Sequence, residues 1–177
     1  PPQNSSLLSA PVNTYMISIC IVTYNHEDYI ENCILSVVNQ TVDQKKEVLV
    51  GVDRSSDNTL AIVQRLARQY PEEVRCIEHE RRMGDGATNL HHVLQEARGD
   101  FIAHLDGDDF WRPGKLQAQL EFLSRHTDCS AVYTNAIVIH GPGTEVGRFT
   151  TDHPEKISLD YLVVRTSLLD GPEDLHP

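Results

Sequence analysis

The chain lacks any paired-cysteine signature. Cys20, Cys33, Cys76 and Cys129 stand alone, with no Cys-x-x-Cys spacing for zinc and no dense disulfide framework, so a reducing, cytoplasmic compartment fits them best. Long apolar runs are also missing. None approaches the roughly 20 residues of a membrane span, which leaves membrane association only to a peripheral mode through parts outside this stretch. Pro1 to Asn13 is polar and proline-containing, without a signal-peptide core, so residues 1–14 read as a flexible lead-in. Net positive charge is absent as well. A formal charge of −11 removes the basic face that sequence-independent binding of nucleic acid or of an anionic membrane requires, although a small anionic ligand can still be held through a metal ion. His79, His91, His92, His104, His126, His140 and His153 show no His-x-x-x-His or Glu-x-x-His pairing with a third ligand, which argues against zinc. No Gly-x-Ser-x-Gly elbow supports a Ser-His-Asp hydrolase, and no internal repeat or low-complexity tract appears.

What is present is concentrated in Phe101 to Trp111, an apolar run that ends in three carboxylates within four residues, Asp106, Asp108 and Asp109. Three acids at a strand tip repel one another unless a cation or a bound ligand offsets the charge. Carboxylate oxygens beside a glycine suit hard divalent ions such as Mn²⁺ or Mg²⁺, usually with phosphate oxygens completing the shell, and so point to a phosphorylated substrate. Alone, the same stretch reads equally as a solvated acidic turn before a helix that starts near Pro113.

At 177 residues the chain suits one domain with a real core. Short apolar runs alternate with helical patterns, which predicts an α/β domain with a largely parallel sheet flanked by helices. Strands are expected at Met16 to Val22, Glu47 to Val52, Val74 to Glu78, Phe101 onward and Ser130 to His140. The first helix places Tyr29, Ile30, Cys33, Ile34, Val37 and Val38 on one face and ends at Gln40-Thr41. The second, from about Asp57, buries Leu60, Val63, Leu66, Ala67 and Tyr70 and stops at Pro71. The third turns Leu90, Val93, Leu94 and Ala97 inward with Gly99 as its cap, and a fourth carries a Leu116, Leu120, Leu123 stripe. Gly141 to Asp152 reads as a loop, Ile157 to Leu169 as one helix or two short elements, and Asp170 to Pro177 as unstructured.

Ligands of such sheets bind at the carboxyl ends of the strands. Those ends carry Thr23-Tyr24-Asn25, Asp53 to Asp57, Gly84-Asp85-Gly86 and Asp106 to Asp109, so polar side chains gather on one edge. Singly, each loop has a plainer reading. Asn25, Ser56 or Asp57 can cap a helix and the glycines can simply turn the chain. His104, next to the acidic turn, reads either as a tuning group or, more simply, as a core histidine bonded to a backbone group.

Together these motifs, Thr-Tyr-Asn, Asp-x-Ser-x-Asp-Asn-Thr, a glycine-containing loop, and Ala-Arg-Gly-Asp-Phe-Ile-Ala-x-Leu-Asp-Gly-Asp-Asp-Phe-Trp followed by Pro113-x-Lys115-Leu116, resemble the family 2 inverting glycosyltransferases of the GT-A fold. The resemblance covers about Met16 to His140. It implies a Rossmann-like nucleotide-sugar-binding domain over residues 15–140, with 141–177 the start of an incomplete acceptor-side region. It also implies transfer, with inversion, from a nucleoside-diphosphate sugar donor, UDP-linked, to the hydroxyl of a saccharide or glycoconjugate acceptor. Carried across by position, Thr23 and Tyr24 would line the base, Asp53 would accept a hydrogen bond from it, and Asp106 would lie near the ribose. Asn25, Gly84 and Gly107 complete the nucleotide-binding set. Asp108, with Asp106, would hold Mn²⁺ or Mg²⁺, and Asp109 would act one step further out.

The chain departs from the family pattern in three places. Val52 stands where a second acid usually precedes Asp53, and Arg54 follows, where it could reach a phosphate or the surface. Arg82 precedes Gly84 and Thr88-Asn89 follows, in place of an Asn before the glycine and an Arg-Asn pair after it. The third departure concerns the general base, which in this family comes well after the metal motif. Glu173 and Asp174, the only acidic pair in the tail, are the candidates for that base, but Gly171-Pro172 before them and Leu175-His176-Pro177 after them suggest a frayed end, so the chain reads as the donor-binding part of a longer transferase. The alternative is a nucleotide-binding or interaction module without turnover. A nucleotidyltransferase would want a glycine-rich basic loop after the first strand, and Thr23 to Glu27 is not one.

Overall fold

A computed structural model describes residues 16–140 and 144–148. Residues 16–130 run β1 (Met16–Thr23), α1 (Ile30–Val38), β2 (Lys45–Val52), α2 (Thr59–Gln69), β3 (Val74–Glu78), α3 (Gly86–Gln95), β4 (Phe101–Asp106) and α4 (Lys115–Arg125). All four strands pair in parallel in the order β3-β2-β1-β4. β1 and β2 are near-continuous apolar runs because helices cover both of their faces. Ile17, Ile19 and Ile21 of β1 join Val48, Val50 and Val52 of β2 in one core with α1 and α2, while Cys20 and Leu49 turn to the other face and meet Val93 of α3.

Local propensity does not make α1. Its Ile-Glu-Asn-Cys-Ile-Leu-Ser-Val-Val run is rich in residues that cost a few tenths of a kcal/mol each in a helix. Burial of Ile30, Ile34 and Val37 outweighs that, at about 1.5–3 kcal/mol per side chain. The register sets Val22 beside both Gly51 of β2 and Asp106 of β4, so the strand ends finish level. That level edge carries the polar loops.

Several sequence expectations need correction. Tyr29 is 55% exposed in the turn before α1, and Leu94 is 39% exposed. Helical periodicity names a side of the helix, and on that side Leu90, Val93 and Ala97 pack into the core while Leu94 stays outside it. Gly99 is not a helix cap, since α3 closes at Glu96; a Cβ on Gly99 would lie 2.5 Å from the backbone nitrogen of Ser18, so the residue serves close approach to β1. β4 is an edge strand of the described sheet, and up to Leu105 it alternates half-buried and exposed positions, with Ile102 49% exposed. The strand read over Ser130 to His140 shrinks to β5 (Ile137–His140), antiparallel to β6 (Thr144–Arg148), which lies inside the stretch read as a loop. Asn135 Oδ1 accepts the Ala136 N–H at 2.9 Å, a local bond that competes with a ladder just before β5. β5 and β6 belong to a second unit beginning at Ala131. The lead-in, the Ile157 to Leu169 element and the Asp170 to Pro177 tail lie outside the described residues.

Candidate functional site

The loop after β1 is laced to the loop after β2. Three successive backbone N–H groups, of Asn25, His26 and Glu27, donate to Ser55 Oγ at 3.0 Å, Thr59 Oγ1 at 2.8 Å and Asp57 Oδ2 at 3.0 Å. In return Asn25 Oδ1 accepts the Ser56 N–H at 2.8 Å, and Glu27 Oε2 accepts the Asn58 N–H at 2.9 Å. Asn25 adopts φ 53°, a left-handed conformation that asparagine tolerates, and so spends its side chain on Ser56 and not on a helix end. Desolvation raises the Asp57 pKa, but hydrogen bonds from Thr59 and Glu27 outweigh it and hold the carboxyl below its ordinary value. A carboxylate depressed in the folded state contributes stability that is complete well above the unfolded value of about 3.9 and fades as pH falls through the folded one. Asp57→Asn is therefore expected to flatten the loss of thermal midpoint below about pH 5, measured by circular dichroism. Equal slopes for variant and parent would refute the role given to this carboxylate.

The loop between β3 and α3 is anchored to the end of β2. Buried Asp53 accepts the Met83 N–H at 2.6 Å and the Gly84 N–H at 3.2 Å, and Arg54 Nη1 donates to the Glu80 carbonyl at 2.8 Å. Arg54 thus ties down this loop. Arg82, on the same loop, lies over the Tyr24 ring at 4.3 Å from its centroid, within cation–π range. Asp85 starts α3 by accepting the Thr88 N–H at 2.7 Å. Asn89, buried on α3, donates to the Gly51 carbonyl at 2.9 Å and meets His79 Nε2 at 2.8 Å through Oδ1, so that ring nitrogen carries the proton.

The acidic turn sits directly against the first loop. Gly107 donates its N–H to the Val22 carbonyl at 2.9 Å, and a Cβ on it would lie 2.7 Å from Thr23 Oγ1 and 3.0 Å from His26 Nδ1, so nothing larger than glycine fits. α1 grips the exit of the turn, because Ser36 Oγ accepts the Trp111 N–H at 2.9 Å while Gln40 bonds the Arg112 carbonyl and the Leu116 N–H. Partial desolvation, with Asp108 and Asp106 adding repulsion, pushes the Asp109 carboxyl above its ordinary range. Burial, and then the same three acids, push up the Cys33 thiol beneath the turn. Each acid beside Gly107 has a histidine near it. His26 Nε2 is 3.9 Å from Asp108 Oδ2, and His104 Nε2 is 3.6 Å from Asp106 Oδ1. His104 is not a core residue, because it stands on the exposed side of β4.

These loops enclose an open cleft of about 400 Å³. Of the residues singled out in the sequence, Thr23, Tyr24, Asp53, Gly84, Asp106 and Asp108 line it. Asn25 and Gly107 support it from outside the lining, and Glu173 and Asp174 lie outside the described residues. His26 also lines the cleft and was missed, since nothing in local sequence links it to an acid 82 positions away. Thr23 Oγ1, in a residue 2% exposed, has no hydrogen-bond partner. Two exposed hard carboxylates suit a divalent ion, yet no three described His, Cys, Asp or Glu side chains converge as ligands, so oxygens of a bound ligand would have to complete the shell.

Residues 18–160, most of the chain, match the family described as glycosyl transferase family 2. The chain belongs to that family. Its similarity to the Escherichia coli UDP-Glc:alpha-D-GlcNAc-diphosphoundecaprenol beta-1,3-glucosyltransferase WfgD is 34% identity over 153 residues, 86% of this chain and 56% of that protein. Among solved structures, S. aureus TarS 1–349 in complex with UDP matches with TM-score 0.57 and 28% identity over 63% of this chain and 33% of that one. The mannosyltransferase PcManGT of Pyrobaculum calidifontis, in complex with GDP-Man and Mn²⁺, matches with TM-score 0.58 and 26% identity, over 64% and 34%. The chain shares with these neighbours the GT-A, Rossmann-like arrangement of a parallel sheet flanked by helices. The chain spans about half the length of the curated relatives it matches. No helix among the described residues is long and apolar enough to cross a membrane.

Proposed function

We propose that the cleft binds a UDP-linked sugar and that the chain forms the donor side of an enzyme that transfers this sugar, with inversion, to a hydroxyl of a saccharide or glycoconjugate during polysaccharide assembly. One observation carries the reading. The strand-end loops bring an acceptor for a base (Asp53), an aromatic face (Tyr24) and two exposed carboxylates (Asp106, Asp108) into a single cleft at the carboxyl edge of a parallel sheet. An imide N–H of uracil needs an acceptor, and each Asp53 oxygen keeps a lone pair beyond its bond to the loop. Ribose hydroxyls need an acceptor too, and Asp106 in the same cleft can supply one. A divalent cation, Mn²⁺ or Mg²⁺, held by Asp108 and Asp106 would offset the charge that develops on the departing nucleoside diphosphate. The neighbours with bound UDP and with bound GDP-Man and Mn²⁺ support this donor chemistry.

The cleft offers Asp, His and Arg side chains to the donor, and we assign the general base and the acceptor site to parts of the protein outside the described residues. Coverage of about half of the relatives' length supports that division. The test is calorimetry of this chain with UDP in Mn²⁺ and in EDTA. Saturable binding that strengthens at least about tenfold with Mn²⁺ is expected, because the net-acidic cleft repels a bare diphosphate. Equal binding in EDTA would overturn the metal-assisted reading.

A further inference from the structure

We propose that His26 is a positioning residue of the acidic turn, holding the Asp108 carboxylate in the orientation that receives a divalent cation; the inference rests on the metal-assisted reading above. The ring is unusually well fixed for a loop side chain. Its backbone N–H is held by buried Thr59, its carbonyl accepts the N–H groups of Tyr29 and Ile30 at 2.9 Å each at the start of α1, and its side chain is only 25% exposed. Gly107 packs on it, with a Cβ position 3.0 Å from Nδ1, so the ring and the acidic turn are in contact through the one residue that offers no side chain.

The two ring nitrogens face different surroundings. Nδ1 is buried without a partner, and a buried N–H without an acceptor is costly, so the proton of the neutral ring belongs on Nε2. Nε2 is the nitrogen 3.9 Å from Asp108 Oδ2, a gap that a shift of about 1 Å closes to a hydrogen bond. A carboxylate that accepts one such bond presents its other oxygen in a fixed direction, which is how groups behind a metal ligand raise its affinity. Thr23 Oγ1, also buried without a partner, lies against Gly107 beside His26 and lines the same cleft, so this corner carries unmet polar capacity toward a ligand. His104 offers a contrast. It lies 3.6 Å from Asp106, but its side chain is 41% exposed, against 25% for His26.

The experiment measures Mn²⁺ binding by electron paramagnetic resonance of free Mn²⁺ at saturating UDP, for the parent, His26→Ala, His26→Gln, His26→Leu, His104→Ala and Asp108→Ala. UDP affinity in EDTA and the thermal midpoint are read alongside. His26→Ala should weaken Mn²⁺ binding about tenfold, a loss well beyond any change in UDP affinity in EDTA. His26→Gln places an amide nitrogen near the position of Nε2 and should recover most of the loss, and His104→Ala should match the parent. The proposal is overturned if His26→Ala binds Mn²⁺ within about twofold of the parent while Asp108→Ala does not bind, a result that leaves the donor-binding function standing. Failure of His26→Gln to exceed His26→Ala overturns it too, and should the alanine variant unfold, His26→Gln binding Mn²⁺ no better than His26→Leu, which keeps bulk but offers no donor, overturns it in the same way. A parent that binds no Mn²⁺ with UDP brings down the function and this inference together.

Discussion

Asp108→Ala is expected to cut Mn²⁺-dependent UDP binding by at least about a hundredfold, or about 2.7 kcal/mol, in calorimetry. The size follows from the ligand count. Asp106 and Asp108 flank Gly107 with exposed carboxylates, and no three described side chains converge as ligands, so removing one leaves the cation a single carboxylate of this pair. The same substitution should leave the ligand-free thermal midpoint unchanged or slightly raised, because it takes one of three mutually repelling acids from the turn that already pushes Asp109 upward. Loss of binding without loss of stability is the signature of a functional group. If Asp108→Ala bound UDP in Mn²⁺ as tightly as the parent, the metal role of the acidic turn would be wrong.

The residues of this site were legible because a parallel sheet makes them so. Strands buried on both faces read as apolar runs, and wherever such a run stops, the next polar residues stand at the carboxyl edge; Thr23, Asp53, Gly84 and Asp106 were found by that rule alone and line one cleft. The sheet's outer limits were not legible in this way. Leu94 and Ile102 look like core residues in local sequence, yet the first stays partly exposed on α3 and the second faces outward from an edge strand, and no local pattern states where a sheet ends.

Contacts made across long loops were equally hidden. The N–H groups of Asn25 to Glu27 find their acceptors 30 or more residues away on Ser55, Asp57 and Thr59, and His26 approaches Asp108 because the loop after β1 packs against the acidic turn at Gly107. Gly99 shows the converse error. Its place just past a helix suggested a cap, whereas its real constraint is the backbone of Ser18 on another element.

Asp53→Asn tests the base side of the cleft and should remove most of a preference for UDP over ADP that is expected to be at least about tenfold, or 1.4 kcal/mol, in the parent. A carboxylate offers acceptors on both oxygens, so Asp53 can hold the Met83 and Gly84 N–H groups and still accept an imide N–H from uracil. Adenine presents a ring-nitrogen acceptor where uracil presents that donor, and the carboxylate repels it. An asparagine has only one accepting atom. Its amide nitrogen must face either a backbone N–H of the loop or the imide, and each arrangement sets donor against donor. The conflict should show twice, as a ligand-free stability loss of about 1–3 kcal/mol from a buried N–H left unpaired, and as UDP affinity falling toward that of ADP. The two readouts separate the roles of this side chain. A stability loss with the UDP preference intact would make Asp53 an anchor of the β3–α3 loop only, and equal UDP and ADP affinity in the parent would remove it from nucleotide recognition altogether.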